Sequence, residues 1–369
     1  METSVPETRR PPHLDDEMRL VTELCEAHGP SGYEEPVRVV MRRWLEGCGE
    51  ISQDRLGSLI VRKAGDESGP KIMLAGHLDE IGMMVARIDE KGFVYFQTIG
   101  GWWEQVMLAQ RVEIRTSRGM VHGVVGSKPP HVLDAEERKK IIDRRKMFID
   151  VGVTSREEAE AIGIAPGDPI TPICPTERLG NPDLVLAKAW DNRYGCAVVT
   201  EVMRGLKGQA HPNIVYGVAT VQEEVGLRGA RTAAQTIMPD VAFSLDVGIA
   251  GDTPGVEPYE AEAALGKGPA ILLYDGSMIP NQPLRKLALE VAKSEGIPVQ
   301  QDMVRAGGTD AGQIHLTGSG VPSLVISVPT RYIHSAASVF SLEDYRNAVR
   351  LVSALVRRLD RETVAGLTR

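Results

Sequence analysis

Two adjacent glutamates, Glu223 and Glu224, lie in the stretch Val221-Gln222-Glu223-Glu224-Val225-Gly226, directly after a strand-like apolar run over residues 213–220. Ionised carboxylates almost never enter an apolar environment unless they are paired or hold a metal. Neighbouring residues on an extended segment point in different directions, so one carboxylate can hold a metal while the other holds a water. Any fold that puts this pair at the end of a strand must supply partners for it.

The chain contains such partners, each close to an apolar run. His77 and Asp79 follow Ile72-Met73-Leu74-Ala75-Gly76, Asp191 follows residues 184–190, Asp246 follows Val241-Ala242-Phe243-Ser244-Leu245, and His334 comes shortly after Leu324-Val325-Ile326-Ser327-Val328. Ligands of open α/β sheets bind beyond the carboxyl ends of the strands, so the reading is that five strand ends converge on one site. Two imidazoles among several carboxylates suit zinc, cobalt or manganese better than a cation that takes oxygen ligands alone.

The 369 residues, 42% hydrophobic and 25% charged, correspond to about two domains at roughly 150 residues each. A first helix is expected from Ser31, where Ser31 and Glu34 match an S-x-x-E capping box ahead of Val37, Val40, Met41 and Leu45, and it should end near Gly47. Strand signals at 59–62 and 71–75, and the helical pattern Ala197, Val198, Val202 and Met203 after Asp191, indicate an α/β class with a mixed sheet. Between these halves the texture changes to short strands, 83–88, 93–98, 112–115 and 120–125, with a hairpin turn at Asp89-Glu90-Lys91-Gly92. This predicts an inserted small β-rich domain over residues 85–180 within a catalytic core formed by 19–84 and 181–369, after a flexible N-terminal extension over 1–18. Ser127-Lys128-Pro129-Pro130-His131 and the charged run 136–146 read as an exposed loop.

A net charge of -8 and a pI of about 5.6 argue against a nucleic-acid partner. Cys25, Cys48, Cys174 and Cys196 are scattered without a C-x-x-C pair, which suits a reducing cytoplasm. No apolar signal-peptide core opens the chain, and no run approaches the roughly 20 apolar residues of a membrane span, so no membrane partner is expected.

The motifs Pro30-Ser31-Gly32-Tyr33-Glu34, Ala75-Gly76-His77-Leu78-Asp79-Glu80-Ile81-Gly82, residues 126–131, Ala189-Trp190-Asp191-Asn192-Arg193, residues 221–226, Ser244-Leu245-Asp246-Val247, Gly307-Gly308-Thr309-Asp310-Ala311 and Tyr332-Ile333-His334-Ser335 together resemble one family. It is the tetrahedral aminopeptidases of metallopeptidase family forty-two, whose members are called glutamyl, leucyl or deblocking aminopeptidase and in some cases endoglucanase. The resemblance implies two divalent metal ions per subunit, zinc first, with cobalt or manganese as alternatives. It implies that Asp191 bridges them, that His77 and Asp246 complete one shell, and that Glu224 and His334 complete the other. Glu223 becomes the general base, and the Asp79 carboxylate orients His77 through the ring nitrogen turned away from the metal. The substrates implied are peptides, and the assembly implied is a homo-oligomer, a dimer formed through the inserted domain and built up into a dodecamer.

Simpler readings exist for single residues. His77 alone fits a core histidine, His334 alone a loop cap, Asp191 alone a helix N-cap, and Glu223-Glu224 alone a solvated turn. His131 and the Gly307-Gly308-Thr309-Asp310 loop are left without a catalytic role, and His13, His28, His122, His211 and His315 are unassigned. Three rival functions stand beside the aminopeptidase: a deacylase or amidohydrolase using the same ions, an endoglucanase, and a scaffold without activity. A glucanase normally sets two carboxylates across a sugar and uses no paired imidazoles. A substrate α-amino group, with a reference pKa of about 7.7–8.0, is neutral enough at mildly basic pH to bind a metal, which selects chain ends.

Overall fold

The computed structural model describes residues 12–368. The first three strands, β1 (Glu50–Gln53), β2 (Leu59–Ala64) and β3 (Lys71–His77), start the main sheet. The chain then leaves it for β4 (Gly82–Ile88), β5 (Val94–Ile99), β6 (Arg111–Thr116), β7 (Gly119–Gly126), β8 (Phe148–Asp150) and β9 (Pro169–Pro172), which close into a barrel in the order β4-β5-β8-β7-β6-β9. It returns through β10 (Glu177–Arg178) and β11 (Leu184–Ala187), then β12 (Ile214–Thr220), β13 (Val241–Ile249), β14 (Ala270–Asp275), β15 (Gln300–Val304), β16 (Ser323–Thr330) and β17 (Ser338–Ser341). The main sheet is eight-stranded and mixed, ordered β1-β2-β12-β3-β13-β16-β14-β15, and β10, β11 and β17 form a small sheet of their own.

The centre of the main sheet, β12-β3-β13-β16, is parallel. Parallel strands are covered on both faces, which is why β3, β13 and β16 are nearly continuous apolar runs buried along their length. Alternate residues serve opposite layers. Phe243, Leu245 and Ile326 pack with Val198, Val202, Leu351 and Leu355 of the long helices Trp190–Gly205 and Leu342–Arg358. On the other face Met73, Ala75, Val218 and Ala242 meet Ala230, Ala233 and Ala234 of the helix Arg228–Ile237. The barrel has its own core, including Met83, Val85, Ile114, Ile149 and Ile170, and closure removes the edges that short strands would otherwise expose.

Two expectations need correction. Residues 12–18, read as part of a flexible extension, belong to the helix Pro12–Glu26, whose Leu20, Val21, Leu24 and Cys25 form a fully buried stripe; residues 1–11 lie outside the described residues. The capping box at Ser31 and Glu34 does not form. The second helix starts at Glu35, ends at Trp44, and has no side-chain cap at Glu34. Both side chains are engaged elsewhere: Ser31 Oγ donates to Asp79 Oδ2 at 2.6 Å, and Glu34 Oε1 accepts from the Gly32 N–H at 2.7 Å and the Gln222 N–H at 3.0 Å.

The barrel strands run from Gly82 to Pro172. The segment 173–180, placed in the insert by its sequence, includes β10, which pairs with β11 in the small sheet. Only Leu78-Asp79-Glu80-Ile81 separates β3 from β4, so the carboxyl end of the central sheet and the first barrel strand share one short link.

Candidate metal centre

The pairing of β3 with β13 stops at Ala75 and Ser244, and the two strands part to leave a crevice. The start of the helix Trp190–Gly205 fills it. Asn192 donates to the Leu245 carbonyl at 2.8 Å while its own Oδ1 accepts from Gly195 N–H at 2.9 Å, and the Cys196 thiol lies 3.1 Å from the His77 carbonyl. This insertion requires small residues at the contact. A Cβ on Gly195 would lie 2.2 Å from the Leu245 oxygen, and one on Gly76 would lie 2.4 Å from the Gly195 carbonyl carbon. Trp190, stacked on Phe340 with ring centroids 3.6 Å apart, fixes the helix start from behind.

The convergence differs from the expected five strand ends. His77 and the Glu223-Glu224 pair do follow neighbouring main-sheet strands, since Thr220 is opposite His77 in the β12-β3 register. Asp246 lies inside β13, where the crevice frees its face. Asp191 stands at a kink just before the regular helix, where it and Asn192 are non-helical; Asn192, whose Oδ1 accepts from the Gly195 N–H, takes the capping part, and Asp191 is not the N-cap. His334 lies in the loop joining β16 to β17, at a left-handed φ of 55°.

Two groups result, and they share a residue. His77, Asp191 and Asp246 present ligand atoms all within 4.8 Å of one another, and so do Asp191, Glu224 and His334. His77 Nε2 is 3.3 Å from Asp191 Oδ1, and His334 Nε2 is 3.4 Å from Asp191 Oδ2 and 3.6 Å from Glu224 Oε2. The two oxygens of Asp191 therefore face opposite histidines. Glu223 Oε2 stands 3.7 Å from His77 Nε2 and joins neither group.

Asp79 supports this arrangement differently from the expectation. His77 Nδ1 is 3.0 Å from the Asp79 backbone carbonyl and 3.4 Å from its carboxylate, so the main chain makes the shorter contact. The carboxylate itself accepts from the backbone N–H groups of Glu223 at 3.0 Å and Glu224 at 3.1 Å. It thus holds the glutamate pair as well as the imidazole. His334 Nδ1 points to the Gly101 carbonyl at 2.8 Å, which leaves Nε2 for the centre.

Charge accounts for the perturbed protonation of the cluster. Burial raises Glu223 and Asp246 well above the carboxylate range, assisted by their acidic neighbours, and Glu224 rises to about 8 through burial and Asp191. His334 is pushed up to about 10 by its contact with Asp191. For His77, burial pulls downward, but Glu223, Asp191 and Asp79 prevail and hold it well above the usual imidazole value. Burial also works against ionised Asp191, yet His334 and His77 keep its pKa low. Such crowding of acids around two imidazoles is what a pair of cations would relieve, so the donor set fits divalent metals.

Several residues near the centre carried no assigned role in the sequence reading. Glu80, next to Asp79, accepts from Lys188 Nζ at 2.6 and 2.8 Å, from Arg193 at 3.2 Å and from the Gly29 N–H at 3.2 Å, all in the interior. Asp310 is buried too. Its Oδ2 accepts from Thr220 Oγ1 at 2.5 Å, its Oδ1 has no partner, and burial lifts its pKa to about 6. Glu80 and Asp310 belong to the motifs that carry the resemblance, but no period or spacing reveals their partners. His131 is exposed on the turn Pro130–Val132 and joins neither ligand group.

Comparison with known proteins identifies the family. The family described as M42 glutamyl aminopeptidase matches residues 57–351. A glutamyl aminopeptidase of Lactococcus lactis is 35% identical over 96% of this chain and 99% of its own. A TET aminopeptidase from a marine sediment Thaumarchaeota archaeon shares 50% identity with a TM-score of 0.94, covering 96% of this chain and 99% of the other. The TET1 peptidase of Pyrococcus horikoshii, which can assemble into a tetrahedron or a large octahedral shell, is 31% identical with a TM-score of 0.84 over 93% of this chain and all of its own. The chain belongs to the M42 peptidase family and is a metal-dependent aminopeptidase.

Proposed function

We propose that this M42 aminopeptidase removes N-terminal residues from peptides using two divalent cations, zinc or alternatively cobalt or manganese. His77, Asp191 and Asp246 would hold one ion, and Asp191, Glu224 and His334 the other. The observation that carries this reading is the pair of three-residue groups sharing Asp191. Three protein ligands per ion is the pattern of a catalytic site, which keeps a position open for water or substrate. When bound, the ions supply an acidified water and polarise the scissile carbonyl.

This chain's own residues do the remaining work. Glu223, side-chain exposure 10%, is the one glutamate of the pair outside both groups, so it takes the proton of the attacking water and returns it to the leaving amine. Asp79 fixes the Glu223 and Glu224 main chain, and so keeps base and ligand in register. The Gly101 carbonyl fixes the His334 tautomer.

The proposed assembly is a homo-oligomer, a dimer through the barrel built up to a dodecamer. Exposed Met120 and Val124 on β7, with Val132 and Ile141 in the loop after it, support an apolar contact there. The cysteines are free thiols, which supports a cytoplasmic setting, and among the described residues no helix is long and apolar enough to cross a membrane. The test is hydrolysis of aminoacyl-anilides before and after chelation, with metal content measured. Chelation should abolish activity and a divalent ion should restore it. Full turnover by metal-free protein would refute the mechanism.

A further inference from the structure

The proposed ligands are covered unevenly. The side chains of His77, Glu224 and Asp191 are 1%, 5% and 14% exposed, whereas that of His334 is 40% exposed. Substrate therefore reaches the centre past His334. The space directly over Asp191 and Glu224 is almost closed, a cavity of about 10 Å³, and it shares His334 and Ser335 with a far larger one of about 730 Å³. The larger cavity lies between barrel and core: the connection from β5 to β6 gives it Trp102, Trp103, Val106 and Gln110, and the loop from β16 to β17 gives it Tyr332 and Ile333.

Its walls are mostly apolar and held in place. Apart from His334, no acidic or basic side chain lines it. Trp102 Nε1 donates to the Gly82 carbonyl at 2.9 Å, and its ring packs on the barrel core. On the opposite wall Tyr332 and His334 take left-handed φ angles of 61° and 55°, a backbone that residues with a Cβ keep only where their surroundings over-determine it. Those surroundings are present. Ser335 Oγ lies 2.7 Å from the carbonyls of both Tyr332 and Ala337, and Arg331 makes a two-pronged ion pair with Asp252 at 2.9 and 2.7 Å. Trp103 and Tyr332, 55% and 58% exposed, form the rim, so the outer end opens to solvent.

We infer that this cavity receives the leaving part of the peptide and favours a bulky apolar residue, an aromatic one above all, immediately after the scissile bond. The inference rests on the aminopeptidase reading and deepens it. On the N-terminal side of the bond the substrate ends after one residue and needs no exit, whereas the leaving peptide has any length and needs an open one. A phenylalanine side chain there buries its area against Val106 and Ile333 and meets the rings of the rim at an angle that aromatic pairs favour. Glycine buries nothing in the cavity, and an aspartate would give up water with no cation in the walls to replace it.

The test compares kcat/KM of the metal-loaded full chain on leucyl-phenylalaninamide, leucyl-glycinamide, leucyl-lysinamide and leucyl-aspartamide, with leucinamide, which has no leaving side chain, as the reference. The wild type should favour the phenylalanine substrate over the glycine and aspartate ones by at least about 10-fold. Trp103→Ala, at an exposed rim outside the barrel core, should lower the ratio of phenylalanine substrate to leucinamide by about 3- to 10-fold. Val106→Glu puts a carboxylate into the wall and should raise the ratio of lysine to phenylalanine substrate by at least about fivefold, a gain that a merely loosened site would not produce. A wild-type preference for the glycine or aspartate substrate, or ratios that either variant leaves unchanged, would overturn the inference and leave the aminopeptidase reading intact. So would a Trp103→Ala protein altered only in its mass by light scattering, which would make the cavity a contact between copies. No hydrolysis of these amides or of any aminoacyl-anilide would overturn the aminopeptidase reading itself.

Discussion

Replacing Glu80 by glutamine isolates the contribution of charge beneath the metal centre. Lys188 and Arg193, 3% and 0% exposed, both donate to the Glu80 carboxylate. Glutamine keeps the shape and one acceptor, but leaves two interior cations without a counter-ion. Removing one partner of a buried pair costs about 3–5 kcal/mol. At about 2.1 cal/mol/K per residue, unfolding a chain of 369 residues carries an entropy of about 0.8 kcal/mol/K, so Tm should fall by about 4–6 °C. The effect should reach the site as well, because Lys188 precedes the proposed bridging ligand Asp191 by three residues and Glu80 adjoins Asp79. The assay is thermal unfolding of metal-free protein, paired with a zinc titration; the variant should melt earlier and bind zinc more weakly. Adding Lys188→Met should recover about 0.5–3 kcal/mol of the loss, the usual coupling between contacting residues. A Glu80→Gln protein melting within about 1 °C of wild type would show that water already screens the cluster, and the argument from burial would fail.

The glutamate pair should separate by variant. Glu223→Gln is expected to keep its metal and lose about 10²–10⁴-fold in turnover, whereas Glu224→Gln should lose metal; equal metal content and equal residual rates would contradict the assigned roles. Gly195→Ala, whose Cβ would lie 2.2 Å from the Leu245 oxygen, should cost at least about 1–3 kcal/mol and lower metal content, read by denaturation and elemental analysis. Met120→Asp with Val124→Asp on β7 should reduce the mass seen by light scattering while short-peptide hydrolysis survives; an unchanged mass would place the interface elsewhere.

Parts of this were legible from the chain alone because they are local. The apolar runs of β3, β12, β13 and β16 signal strands of an open α/β sheet, and the hairpin at Asp89 to Gly92 signals the change to short strands. Other parts depend on pairing at a distance. Barrel closure rests on Met83 meeting Ile170, and nothing near either residue announces it. The Glu80-Lys188 contact spans 108 positions and the Glu80-Arg193 contact 113, so no window along the sequence contains both ends. The S-x-x-E string at Ser31 is ambiguous because the same letters describe a helix cap and a brace on the next element, and only the competing hydrogen-bond partners in space decide between them. The helix Pro12–Glu26 is absent from the sequence reading, which starts the first helix at Ser31, because its first half is polar and its apolar stripe starts only at Leu20. His334 gained its role through resemblance, since a loop histidine has no periodicity of its own.

The barrel lends one atom to the metal centre, the carbonyl oxygen of Gly101 that holds His334, and a Cβ on the adjoining Gly100 would lie 3.3 Å from Glu224 Oε2. If copies of the chain meet through the barrel, the same rigid piece is tethered at both ends. Free energy that fixes its orientation in the assembly then also fixes the imidazole, and binding couplings of this kind are reciprocal. Subunit concentration becomes a variable of metal affinity: dilution should release metal, and chelation should loosen the assembly.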